Sequence, residues 1–347
     1  ASESRAPTGQ PSHGRTAMSE PLTGPNRDGH GAASLLRFRT QRLDARAADG
    51  RNVAIWRDSW RDDPRGPAVV LCGGFARRMR HLGGISSYLA MNGCVVYRFD
   101  PLDHIGLSDG EIRNFTLSAF EASQRAVIDL VAKRDGGRPI VLLALSMGAR
   151  AAIRRAAQDR RIARLVMLAG VVNVSATLAR VFGHDYCGMN VDEIPELEVF
   201  ESHSIGVRGV WRDNKAFDWD SLEGTRLELD RIQAPVVAVH PENDRWAAVE
   251  DLELAFASPN PAGPRHLFRL PFASHAIDKN PAALRIVLTQ VTRAVIAPRI
   301  EAMDSVEVTA PSFEAMFQLA LDEREQERVQ TQAQLAAAAE DRHATAP

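Results

Sequence analysis

Three residues have the types and the chain order needed for nucleophilic acyl transfer: Ser146, Asp244 and His275. A serine hydroxyl is a poor nucleophile at neutral pH. It needs a base within hydrogen-bond reach, and the base needs an acid to orient it. Ser146 stands where the apolar run Pro139 to Leu145 ends and a helical pattern from Met147 to Ala157 begins. Small residues at Ala144 and Gly148 allow the sharp bend that projects such a hydroxyl. By itself this Ala-x-Ser-x-Gly motif is weak, because a serine before a helix is commonly a plain N-cap. Asp244 follows the run Val236 to His240, and His275 follows the run His266 to Leu270. Each therefore sits just past the carboxyl end of an expected strand, the edge at which open parallel sheets bind ligands. Taken singly, Asp244 could cap a helix starting near Trp246 and His275 could be a surface loop residue. Glu242 is the second candidate for the acid.

Acyl transfer also needs two backbone N–H donors where negative charge develops. Met147, the residue after the serine, would supply one. The loop Gly73-Gly74-Phe75-Ala76, after the apolar run Ala68 to Cys72, would supply the other, with Phe75 the expected donor.

The elements that must position these groups alternate. Leu36 to Arg39 and Val53 to Trp56 read as a half-buried strand pair. Ala68–Cys72, Cys94–Phe99, Pro139–Leu145, Ala163–Ala169, Val236–His240 and His266–Leu270 read as buried strands. Helical patterns cover Ile85–Met91, Leu117–Ala132, Met147–Ala157 and Ala282–Ala297. Such alternation implies a mainly parallel sheet with helices on both faces, an α/β class. The expected core is 35–170 plus 226–300. Alternation stops between 171 and 225, a stretch too long for a plain loop and read as an inserted cap. Its aromatics Phe182, Tyr186 and Phe200 are candidates to line a substrate tunnel, or simply to form the cap's own core. Residues 1–34 are rich in Gly, Pro, Ser and Thr and read as a disordered leader, with Met18 a possible internal start. Residues 301–347 form a tail, expected to be helical from Phe313 to Leu335 and frayed beyond.

Composition narrows the partners. There are 42 basic and 44 acidic residues, a formal net charge of −2, so no basic field argues for nucleic acid. No apolar run is long enough for a membrane span, and the leader lacks the apolar stretch of a secretory signal. The odd, sparse set Cys72, Cys94 and Cys187 does not suggest a disulfide framework and fits a reducing cytoplasm. No Cys-x-x-Cys, His-Glu-x-x-His, phosphate-loop or Gly-x-Gly-x-x-Gly pattern calls for a metal or nucleotide cofactor. Asp103 and His104 are adjacent but read as support beside the site. The basic cluster Arg77-Arg78-Met79-Arg80-His81 would suit a phosphate or an acidic partner, or be a solvated helix face.

Several stretches resemble the acyl transferases of bacterial bioluminescence, also described as acyl-ACP (myristoyl-ACP) thioesterases. They are Gly74-Phe75-Ala76-Arg77-Arg78-Met79 with His81, Tyr97 to Ser108, Gly170 to Asn173, Asp192 to Pro195, Asn243 to Trp246, Ser274-His275 and Phe313-Glu314. The similarity spans about residues 36 to 330. It implies an α/β-hydrolase fold with a cap and a triad that maps onto Ser146, Asp244 and His275. It also implies cleavage of a fatty thioester, acyl-ACP or acyl-CoA, through an acyl-serine. In that family the released acid feeds a reductase and a synthetase. Arg77 and Arg78 are then expected contacts for the acidic carrier protein. A carboxylesterase with the same triad is the competing enzyme reading, because substrate choice lives in the cap. A catalytically silent binding protein of the same fold is the non-enzymatic one.

Overall fold

The computed structural model describes residues 38–60, 64–258 and 261–344. The expected leader and the first residues of the expected opening strand lie outside them. In chain order the core begins with the antiparallel pair β1 (Arg39–Arg46) and β2 (Asn52–Ser59). Then come β3 (Ala68–Cys72), α1 (Gly83–Met91), β4 (Val95–Phe99), α2 (Leu117–Arg134) and β5 (Ile140–Leu145). They are followed by α3 (Met147–Gln158) and β6 (Ile162–Leu168). An excursion carries α4 (Val174–Phe182), the hairpin β7 (Leu197–Phe200) and β8 (His203–Gly206), and α5 (Val207–Phe217). The chain returns through α6 (Leu222–Arg231), β9 (Val236–Pro241), α7 (Val249–Phe256), β10 (Arg265–Leu270) and α8 (Pro281–Ile296). It closes with α9 (Phe313–Ala344).

Eight strands form one sheet in the order β1-β2-β4-β3-β5-β6-β9-β10. All pairings from β4 onward are parallel. Strands β3, β4 and β9 are buried throughout, because helices cover both sides; β3 is wholly apolar, while β4 buries Arg98 and β9 buries His240. One face packs α2 and α3 over Val70, Phe99, Leu142 and Met167. The other packs α1 and α8 over Leu71, Val96, Leu143 and Val239.

Register places the chemistry. In β3 and β5, Cys72 lies opposite Ala144, so the Gly73–Ala76 loop and Ser146 leave the sheet side by side. In β9 and β10, Pro241 lies opposite Leu270, so the loops bearing Asp244 and His275 leave together. The sheet order β4-β3-β5 makes the end of β3 the switch point, where a crevice opens.

Two details differ from the sequence reading. Helix α6 begins at Leu222 behind the Ser221 cap and packs on α3 through Arg150 and Arg154, which both grip Glu228. The expected cap boundary at 225 therefore falls inside a core helix. The tail helix runs on to Ala344, past the expected fraying point at Leu335. It is docked as well. Glu323 meets the fully buried Arg98 at 2.5 Å, and Glu327 pairs with Arg78 and Arg80 at 2.6 and 2.9 Å. Gly83 makes this approach possible, since a Cβ there would lie 2.8 Å from the Glu323 carboxylate.

Candidate active site

Ser146 occupies a strained elbow between β5 and α3, with φ 49° and ψ −123°. A non-glycine residue adopts this region only under constraint from its surroundings. The constraint is steric. A Cβ on Gly74 would stand 2.8 Å from the Ser146 Cβ, and one on Gly148 would stand 2.6 Å from the Gly73 carbonyl oxygen. The Ser146 N–H donates to Leu168 O at 3.0 Å, and its carbonyl accepts from Val171 at 3.1 Å. Its side chain caps nothing in α3. Instead Oγ lies 2.9 Å from His275 Nε2.

His275 Nδ1 lies 2.6 Å from Asp244 Oδ2, so Nδ1 carries the proton and Nε2 is left to accept from Ser146. The other Asp244 oxygen accepts the N–H groups of Trp246 at 2.9 Å and Ala247 at 3.0 Å. The carboxylate is thus buried yet fully used. Glu242, by contrast, is exposed. The Trp246 ring covers His275 with centroids 4.8 Å apart. This hydrogen-bonded Ser–His–Asp chain has the geometry that lets a base remove the serine proton and an anion stabilise the resulting imidazolium. Cys72 lies close beneath the elbow, but burial pushes its thiol up to about 12, so it stays protonated.

Met147 opens α3, so its N–H has no acceptor within the helix. Phe75 lies across from it in the β3 loop, whose next residue, Ala76, has φ 56°. The loop is held from behind. Ala76 donates its N–H to His104 Nε2 at 2.9 Å, and Met79 donates to Asp100 Oδ1 at 2.6 Å. Burial lowers His104 to about 4, keeping it a neutral acceptor. Asp103 instead binds Arg51 at 2.6 Å. The two residues adjacent in sequence therefore serve different loops, and His104 supports the β3 loop. Sequence reasoning assigned it no partner, since only the fold brings it to Ala76. Gly74→Ala is the local test of this packing. The added methyl must displace the nucleophile, so kcat/KM on an activated ester is expected to fall about 100-fold, with roughly 1–3 kcal/mol of stability lost to overpacking.

A cavity of about 500 Å³ reaches Ser146 and His275. Phe182, Tyr186 and Phe200 line it on the excursion side, together with Phe75. The rings of Phe182, Phe200 and Trp246 touch in sequence with centroids 5.3 to 5.8 Å apart. The cavity also extends to the other face of the sheet, where Ile85, Leu284, Leu288 and Met316 line it. That side, and the contribution of the tail helix through Met316, was not anticipated. Of the basic cluster, Arg77 and His81 border the cavity. Arg78 does not, being committed to Glu327. Arg77 is half-exposed, 3.7 Å from Asp278. Among the described residues no group of three or more His, Cys, Asp or Glu side chains is placed to hold a metal ion. None of their helices is long and apolar enough to cross a membrane.

The parallel sheet, the elbow at the end of β5 and the later strand-end loops define an α/β-hydrolase fold. Solved esterases share it. The Butyrivibrio proteoclasticus esterase Est1E, with ferulic acid bound, matches with a TM-score of 0.59 at 22% identity, covering 72% of this chain and 96% of that one. An esterase of Pyrococcus furiosus matches with a TM-score of 0.55 at 16% identity, covering 76% and 95%.

The sequence is more specific than the fold. Residues 44–332 match the family model described as acyl transferase. An acyl transferase of Photobacterium leiognathi is 32% identical over 279 residues, 80% of this chain and 88% of that protein. One from Vibrio harveyi is 31% identical over 282 residues, 80% of this chain and 92% of that protein. The chain belongs to the acyl transferase family represented in these luminescent bacteria, and is an enzyme of the hydrolase or transferase type.

Proposed function

We propose that this enzyme cleaves a fatty acyl thioester through an acyl-Ser146 intermediate, releasing fatty acid or passing the acyl group to an acceptor. The observation that carries the proposal is the Ser146 hydroxyl, hydrogen-bonded to His275 and opening onto a mainly apolar cavity. His275 Nε2 takes the serine proton as Oγ attacks the thioester carbonyl. The N–H groups of Phe75 and Met147 receive the oxyanion. Asp244 stabilises the imidazolium, which then protonates the departing thiol. Water or another acceptor, deprotonated by the same nitrogen, releases the acyl group and restores Ser146. A serine held at a strained elbow and hydrogen-bonded to a His–Asp pair supports catalysis over simple binding.

Graded acyl thioesters followed by intact mass test the reading. The expected result is a gain of one acyl group that is absent in Ser146→Ala. Each further buried methylene is worth about 0.8 kcal/mol, so kcat/KM should rise about fourfold per carbon until the cavity is full. A flat response to chain length, or no adduct with any thioester, would remove the fatty-thioester reading. Running acyl-ACP and acyl-CoA in parallel reads the carrier. Arg78 is held by Glu327 at 2.6 Å and Arg77 more loosely by Asp278 at 3.7 Å, so the contact with an acidic carrier falls chiefly to Arg77. Arg77→Glu is then expected to raise KM for acyl-ACP, and for the phosphate-bearing acyl-CoA, while leaving an uncharged acyl thioester unchanged.

A further inference from the structure

We infer that His240 is a positioning residue for Asp244, acting through the main chain of Ala247. The inference rests on the acyl-serine chemistry proposed for Ser146. His240 lies near the end of β9 and is fully buried. Its Nε2 is 2.7 Å from the Ala247 carbonyl oxygen. A carbonyl only accepts, so Nε2 carries the proton and donates it. Ala247 in turn donates its N–H to Asp244 Oδ1 at 3.0 Å. One residue is therefore gripped on both sides, by the imidazole at its carbonyl and by the acid at its N–H. Together they fix the turn that aims Asp244 Oδ2 at His275.

The second ring nitrogen gives independent support. His240 Nδ1 is buried with no hydrogen-bond partner among the described residues. A buried acceptor left unmade costs stability, and an apolar side chain would avoid that cost. An apolar side chain would also release the Ala247 carbonyl. The groups that face His240 are Asp244, His275 and Glu250. Its Nε2 is only 3.9 Å from Asp244 Oδ2, the oxygen that serves His275. A charged His240 would compete for that oxygen. Burial lowers its affinity for a second proton and so favours the neutral form.

The test compares His240→Leu and His240→Ala, which lack the donor, with His240→Gln, whose amide can reach the Ala247 carbonyl. Two readouts are taken on the full chain. One is the pH profile of kcat/KM on a p-nitrophenyl ester. The other is the rate at which a serine-directed fluorophosphonate labels Ser146. Both apolar variants are expected to lose roughly 10- to 100-fold in kcat and labelling rate, with KM little changed. Their acid limb should move to lower pH, because a loosely aimed carboxylate stabilises imidazolium less. Gln should restore both. Wild-type behaviour in a folded apolar variant would overturn the inference. So would equal losses in the apolar and Gln variants with the acid limb unmoved. Should one apolar variant fail to fold, the other carries the comparison. Wild-type protein that labels with fluorophosphonate but turns over no thioester would sink the thioester reading alone, and the labelling rates would still judge His240.

Discussion

Ser146→Ala is expected to lower kcat on any accepted acyl donor by about a million-fold while leaving the fold intact. The size follows from triads acting as units, in which loss of the nucleophile removes the covalent route entirely. What survives is the contribution of the Phe75 and Met147 N–H groups and of substrate binding, on the order of 10³ over water. Stability should change little, because the Ser146 side chain caps nothing and its one partner is His275. Relief of the backbone strain is not expected, since an alanine at this elbow would keep φ near 49° under the same packing. Asp244→Asn is the informative companion. An amide can donate to His275 Nδ1 and so favours the wrong tautomer, which places a proton on Nε2 facing Ser146. About 10⁴ in kcat should be lost, with acylation and deacylation both slowed. Initial rates with an activated ester, with circular dichroism as the fold control, read both variants. Retention of more than a few per cent of activity by Ser146→Ala would exclude Ser146 as the nucleophile.

The largest expected effect on stability lies at Arg98, under the tail helix. Arg98 is fully buried on β4, 2.6 Å from Asp58 and 2.5 Å from Glu323, with its guanidinium over the Trp56 ring. Ser86 also donates its hydroxyl to Asp58. Arg98→Met would leave two buried carboxylates without their cation. Breaking a buried pair from one side costs about 3–5 kcal/mol, or on the order of 10 °C in melting temperature here. Replacing Asp58 and Glu323 by leucine in the same chain should return part of that loss, because the uncompensated charge goes while Ser86 and Thr40 lose their acceptor.

The Arg98 cluster also carries a pH signature. Two carboxylates share one guanidinium, and burial raises Glu323 to about 7 from its ordinary 4.5. For an acid whose folded pKa is raised, the stabilisation is fully present below the unfolded value of 4.5 and is lost as pH rises through about 7. Docking of α9 is therefore expected to loosen as pH rises from about 4.5 to about 7. Glu323→Gln should flatten that dependence. Hydrogen-exchange protection in α9, taken relative to the intrinsic exchange rate at each pH, is the measurement, and a pH-independent protection factor in the wild type would refute the assignment. Since Met316 of the same helix lines the cavity, chain-length preference should broaden as the helix loosens.

How these residues come together separates what was written in the chain from what the fold decided. The buried strands were legible because they are short apolar runs ending in Gly, Pro or Asp, and helices between them imposed a parallel sheet. Ser146, Asp244 and His275 were legible because each follows such a run at its carboxyl end. That they meet is a matter of register. Parallel pairing of β3 with β5 and of β9 with β10 brings four loops to one edge. The likeness to luminescence acyl transferases was legible in the Phe75 to Met79 stretch and its companions.

Contacts between side chains distant in sequence were not legible. Nothing in Asp103-His104 told which of the two would support the β3 loop, because the choice depends on Ala76 arriving 2.9 Å from one imidazole nitrogen. The basic run at 77–80 looked uniform, yet Glu327 binds Arg78 and Arg80 while Arg77 borders the cavity. Its charge gave no sign that a carboxylate far along the chain would claim part of it. The tail's helix was legible from Phe313 to Leu335, with its Gln/Ala-rich end read as frayed, but its docking was not. Its docking rests on the buried Arg98–Glu323 pair and the half-exposed Arg78–Glu327 pair, and hydrophobic periodicity does not register such contacts. Local sequence set the elements and the chemistry of each side chain. Only tertiary packing decided which charges are partnered, and so which remain for substrate.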